Sequence, residues 1–203
     1  GLARAMANTK QVKGADVFNN GFSTAPAYVG GDGVAFFSAS HPTVSAGVQS
    51  NLAAAADLSE AALETVITNI QKIKDDRNIL IGSSAVSLHI PPDLWSTADQ
   101  ILHSPGSTVA GGTGDGTYAQ NNINAIRHMG MIPEGFFVNR RFTDTNNYYI
   151  KTDVPNGAKM FVRVPLQTKM EPDFDTGNLR FKARERYSFG FSDWRSYFGS
   201  QGS

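Results

Sequence analysis

The chain has 203 residues, 18 of them basic and 18 acidic, and no cysteine. That length holds one large domain or two small ones and buries a sizeable core without staples. The absence of cysteine excludes disulfides and thiolate metal sites. The zero formal charge argues against a dedicated nucleic-acid binder and leaves little long-range repulsion between copies. No apolar run approaches the roughly 20 residues that span a bilayer. The opening GLARAMANTKQVKGADVF lacks the apolar centre of a signal peptide and reads as the middle of a helix. The expectation is therefore that upstream sequence has been cleaved or left out.

Residues 2–18 carry Leu2, Met6, Val12, Ala15 and Val17-Phe18 at roughly helical spacing, with Asn19-Asn20-Gly21 as a stop. Residues 21–56 are rich in Gly, Ser, Ala and Pro, and read as a long, partly ordered loop around a short strand at Val34–Phe37. A helix is expected over 58–75, capped by Asp57 with Glu60 three residues on, and striped with Leu63, Val66, Ile67, Ile70 and Ile73. Lys72 and Lys74 would complement its dipole. Ile79-Leu80-Ile81 reads as a short buried strand, and Ser87–Ile90 as another that Pro91-Pro92-Asp93 closes before a helix over 94–102. Residues 104–117 have loop composition, and 121–129 a short helix. Phe136–Val138 and Tyr148–Ile150 read as strands, with a turn at Asp144–Asn147.

The chain ends in an expected β-hairpin. Met160, Val162, Val164 and Leu166 share a face of its first arm. In the second, Leu179, Phe181, Ala183 and Tyr187 share a face, with Glu185 as the exception. Arg180, Lys182, Arg184 and Arg186 occupy the opposite face. The turn lies at Asp175-Thr176-Gly177-Asn178.

Catalytic signals are weak. His41, His89, His103 and His128 have no metal-ligand spacing and read as ordinary surface or loop histidines. The run Gly111-Gly112-Thr113-Gly114-Asp115-Gly116 lacks the Lys-Ser/Thr of a P-loop, and reads as a flexible glycine loop. Ser40-His41 has no nucleophile elbow around it and reads as a turn closed by Pro42. Asp173 and Asp175 flank the hairpin turn, where Asp is common. The basic face is the feature with competing readings: a solvated sheet face, a contact with acidic groups of a neighbouring copy, or a contact with nucleic-acid phosphates. Four like charges on alternate residues repel one another, and the predominance of Arg suits bidentate pairing with carboxylates.

KARERYSFGFSDWRSYFGS, preceded by EPDFDTGN, resembles the C-terminal end of tailed-phage major capsid proteins, of the phage Mu-like major head subunit family. GADVFNNGF, GGDGVAFFSASHP, ADLSEAAL, MGMIPEGFFVN and IKTDVPNG add to the resemblance across nearly the whole chain. It implies an α+β, Hong Kong 97-like capsid fold. Residues 1–24 and 156–203 would form the peripheral domain, with a long spine helix and a long β-hairpin. Residues 25–155 would form the axial domain. The glycines of the loop, Gly111, Gly112, Gly114 and Gly116, with Asp115, would lie near the capsomer centre. An N-terminal arm and an extended loop would precede residue 1 and are absent from this chain.

The resemblance further implies a non-enzymatic protein without cofactors. It would assemble into the hexamers and pentamers of an icosahedral head around double-stranded DNA. Its partners would be further copies, portal, scaffold and decoration proteins, and DNA without sequence preference, and no membrane. Its place would be the virion, after assembly in the bacterial cytoplasm. The basic residues Arg180, Lys182, Arg184 and Arg186 would meet neighbouring subunits or DNA. An encapsulin-like compartment shell is an alternative on the same fold. An alternative of another class is a soluble hydrolase or ligand-binding domain with residues 105–117 as a lid over His103 or His128.

Overall fold

The computed structural model describes residues 1–45, 47–106, 123–172, 174–175 and 177–203. Helix α1 (Leu2–Asn19) begins the chain and ends where Asn20 N–H bonds back to Asp16 O. Only Ala15 of α1 is buried, while Leu2 and Val12 face solvent. Beside Ala15, its inward stripe holds the half-buried Met6, Lys10, Gly14, Val17 and Phe18. That stripe holds a lysine and a glycine, which the apolar periodicity of the sequence passes over.

After α1 the chain follows a mostly irregular path. Val34 to Phe37 do not form a strand. Ala35 makes a single bridge to Val29, and Phe36 and Phe37 are buried as loop residues. Phe37 lies between two glycines. A Cβ on Gly21 would come within 2.6 Å of its ring, and one on Gly199 within 2.8 Å. Close backbone approach, rather than strand pairing, therefore buries this aromatic pair. The small strands β1 (His41–Pro42) and β2 (Val48–Gln49) pair antiparallel.

Helix α2 (Glu60–Gln71) starts later and stops earlier than its sequence pattern suggests. Its cap is Ser59, whose Oγ accepts the Ala62 N–H at 3.2 Å, and not Asp57. The reason is packing: Leu58 and Leu63 are both buried in the core on either side of the cap, as in a hydrophobic staple. Lys72 is the C-cap and Lys74 lies beyond the helix, so neither occupies its last turn. Ser59→Ala should cost about 1 kcal/mol of stability by removing the cap. A urea melt checks this.

Ile79, Leu80 and Ile81 are a correction to the expected buried strand. They are 62%, 59% and 41% exposed, and only Leu80 pairs, in a bridge to Lys74. Asp75 Oδ1 accepts the N–H groups of Arg77 and Ile79, and Asn78 takes a left-handed φ of 68°. This closes a tight turn that reverses the chain outside the core.

The central sheet has four strands in the order β4 (Phe136–Val138), β3 (Ala85–Ile90), β5 (Tyr148–Thr152), β8 (Tyr197–Ser200). β3 is parallel to β4 and antiparallel to β5, which is antiparallel to β8. Leu88, Ile90, Tyr148, Tyr149 and Ile150 are buried in it. The Pro91-Pro92 break opens a 3-10 turn (Pro92–Leu94) and then α3 (Trp95–His103), as expected. Helix α4 (Ala125–His128) is shorter than expected and is capped by Asn124. The glycine loop at 111–116 lies outside the described residues.

Among the described residues the longest strands are β6 (Ala158–Pro172) and β7 (Leu179–Phe191), which pair only with each other. β7 alternates as expected, but β6 does not alternate along its length. Register shifts interrupt it between Val162 and Val164 and between Val164 and Gln167. Pro165 lies inside the second shift, where its missing N–H is tolerated. Met160 and Val162 oppose Phe189 and Tyr187, yet Val164 opposes Arg186. The single apolar face expected from Met160 to Leu166 is therefore broken at the bulges.

Candidate assembly surface

The hairpin is held to the rest of the chain by α1 and, at its base, by Phe191, whose ring stacks on Phe36 at 4.2 Å. Gly14 of α1 stands against the Phe189 ring, where even a Cβ would come within 3.4 Å. Lys10 places Nζ 5.4 Å from the centre of the Tyr187 ring, a cation–π distance. Lys10 also pairs with Glu185. Glu185 Oε1 is buried and has no aligned hydrogen bond, so the contact is charge against charge. Glu185, the exception in the apolar face by sequence, thus fixes the hairpin to α1. A partner 175 positions earlier in the chain carries no sequence signal.

Toward its tip the hairpin is exposed. Met170 and Phe181 oppose each other and are 60% and 65% exposed. Phe174 at the tip is wholly exposed. A two-stranded hairpin alone is marginally stable in water. The opposite face carries the predicted basic series. Arg180 registers with Glu171, Lys182 with Lys169, Arg184 with Gln167 and Arg186 with Val164. All four are exposed. Lys182, Arg184 and Arg186 form no ion pair among the described residues. Lys169 directly across from Lys182 is a like-charge pair, which destabilises a sheet.

Where the hairpin leaves the core, a buried polar network anchors it. His41 is fully buried, not a surface histidine. Its Nδ1 meets Asp32 Oδ2 at 2.6 Å and its Nε2 meets Asn51 Oδ1 at 3.0 Å. Its ring stacks on Trp194 at 4.2 Å. Asn51 Nδ2 reaches the carbonyls of Phe36, Trp194 and Tyr197. The Arg195 guanidinium lies 4.4 Å from the Trp194 ring centre, and its Nη2 donates to Asp76 Oδ1 at 2.5 Å. The network ties the early loop to the segment between β7 and β8. Ser40 Oγ bonds the Ser38 hydroxyl and does not reach His41, so the adjacent pair forms no nucleophile–base dyad.

Other candidate groups stay apart. His103 pairs with Asp99 on an exposed face of α3 at 2.7 Å. Among the described residues no group of three His, Asp or Glu side chains is placed to hold a metal. Asp173 lies outside the described residues, so its pairing with Asp175 has no geometry here. An open cleft of about 430 Å³ lies between α1, residues 27–31 and the end of β7, lined by Lys13, Asp16, Tyr28 and Tyr187 among others. It contains neither His103 nor His128.

A long, largely exposed hairpin stands beside a long helix. Residues 1–198 match the sequence profile of a family described as phage capsid protein. The chain belongs to the phage capsid protein family. Its fold is similar to that of the capsid of an empty GTA (gene transfer agent) particle, with a TM-score of 0.52 at 15% identity. The match covers all of this chain and 65% of the other, so this capsid protein spans about two thirds of that neighbour's length. No curated protein matches it. The mixed helix-and-sheet architecture thus resembles a phage capsid, Hong Kong 97-like fold. The family description is that of a capsid protein.

Proposed function

We propose that this capsid protein assembles into hexamers and pentamers of an icosahedral head that encloses double-stranded DNA. In this reading α1 is the spine helix and β6–β7 the peripheral hairpin, within a peripheral domain of residues 1–24 and 156–203. Residues 25–155 form the axial domain. The work is contact, not catalysis. Portal, scaffold and decoration proteins and packaged DNA are the further partners, in a virion built in the bacterial cytoplasm.

The observation that carries the proposal is the hairpin itself. Its outer half exposes Met170, Phe174 and Phe181, and among the described residues its strands pair with no other strand. Weak contacts of this kind add up when many copies meet in a closed symmetric assembly. Electron microscopy of the full-length protein co-expressed with its scaffold should show capsomers and closed shells. Persistent monomers across salt and pH would overturn the proposal.

A further inference from the structure

The charge of this chain is balanced overall but not locally. Between residues 158 and 191 there are seven basic and four acidic residues, whereas between 25 and 155 there are seven basic and twelve acidic. On the hairpin, Arg163, Lys169, Lys182, Arg184 and Arg186 are exposed and unpaired among the described residues. On the body, Glu64 of α2 and Asp93 of the 3-10 turn are exposed carboxylates with no hydrogen bond or cation among the described residues. Asp57 and Asp144 are exposed too, bound among the described residues only to backbone N–H groups.

We infer that the basic face of the β6–β7 hairpin docks on the acidic body surface of a second copy, with Arg184 and Arg186 pairing with the carboxylates of Glu64 or Asp93. This rests on the shell reading above and names the surfaces that meet. The hairpin's charge excess and the body's are opposite in sign, and Arg184, Arg186, Glu64 and Asp93 each lack a counter-charge among the described residues. One chain that carries both has what a head-to-tail contact between identical copies requires. Arginine supplies the planar fork that grips a carboxylate with two hydrogen bonds. Repulsion between Lys169 and Lys182 falls when acidic groups are brought between them. Nucleic acid is the weaker candidate partner. A protein that holds phosphates carries a clear positive excess, and this chain has none.

The test is charge reversal in the full-length protein. Arg184→Glu with Arg186→Glu should cut the yield of capsomers at least about tenfold, the effect of losing one modest contact energy, while circular dichroism and melting temperature stay near those of the unmodified protein. Adding Glu64→Lys or Asp93→Lys to the same chain should restore assembly. Mixing the hairpin-reversed chain with a body-reversed chain should restore part of it. Normal assembly by the hairpin-reversed chain, or no rescue by either body reversal, overturns the inference. If shells form normally and lose only encapsidated DNA, the face belongs to nucleic acid and the inference is likewise overturned. Absence of capsomers from the unmodified protein is a separate result, which removes the shell reading itself.

Discussion

Asn51→Ala should destabilise the folded chain by on the order of 4 kcal/mol, the upper end of single-residue effects. Asn51 is fully buried. Its Oδ1 accepts the Ser38 N–H at 2.9 Å and faces His41 Nε2 at 3.0 Å. Its Nδ2 donates among three carbonyls, of Phe36, Trp194 and Tyr197, at 2.8 to 3.0 Å. Truncation leaves several of these groups buried without partners, each costing about 1–3 kcal/mol before relaxation shares the loss. Asn51→Asp keeps the volume but turns a carboxylate oxygen toward those carbonyls, and should be at least as damaging. The measurement is urea unfolding followed by the fluorescence of the tryptophans, Trp194 being buried against His41. Ser40→Ala, at an exposed neighbour, should change little. A loss below about 1 kcal/mol for Asn51→Ala would show that the network is not what binds the early loop to the C-terminal segment.

This contrast marks what can be read from sequence. β7 was legible to its ends, because strict alternation with opposite chemistry on two faces admits one geometry. The α2 stripe and the Pro91-Pro92 break were legible for the same local reason. Asn51, His41 and Trp194 were not. They meet across more than 140 positions, and nothing in their immediate neighbours distinguishes them from loop residues. Ile79–Ile81 misleads in the opposite way. Its composition is that of a core strand, but the Asp75 turn holds it outside. The bulges in β6 had a signal in Pro165, which cannot donate to a ladder. Of the candidate surface, the basic side chains could be listed from spacing alone. The Lys10–Glu185 pair that positions them could not.

Acidification should weaken the central sheet through His89. This residue lies on β3 opposite Tyr149 of β5 and beside Phe137 of β4. Its ring centre is 5.5 Å from that of Phe137 and 5.8 Å from that of Tyr197. Burial among these rings, and then the positive charge of Lys151, push its pKa down to about 4, with Glu134 opposing the shift. The neutral imidazole shares a hydrogen bond with Ser87 Oγ at 3.2 Å. Above the unfolded value of about 6.5, His89 is neutral in both states and contributes no pH dependence. Between 6.5 and about 4 the unfolded chain takes up a proton that the folded chain refuses, so stability falls as pH falls. Below about 4 both states are protonated and this contribution levels off. The full span corresponds to about 3 kcal/mol, reduced by whatever solvent reaches the ring. His89→Gln keeps a polar partner for Ser87 and removes the titration. Unfolding free energies at pH 7.0, 5.5 and 4.5 should therefore separate the two proteins, as set by the window above. The unmodified chain should lose about 2 kcal/mol more than His89→Gln across that range. Equal slopes would mean that His89 takes up its proton while folded, with Lys151 screened by solvent rather than acting on the ring.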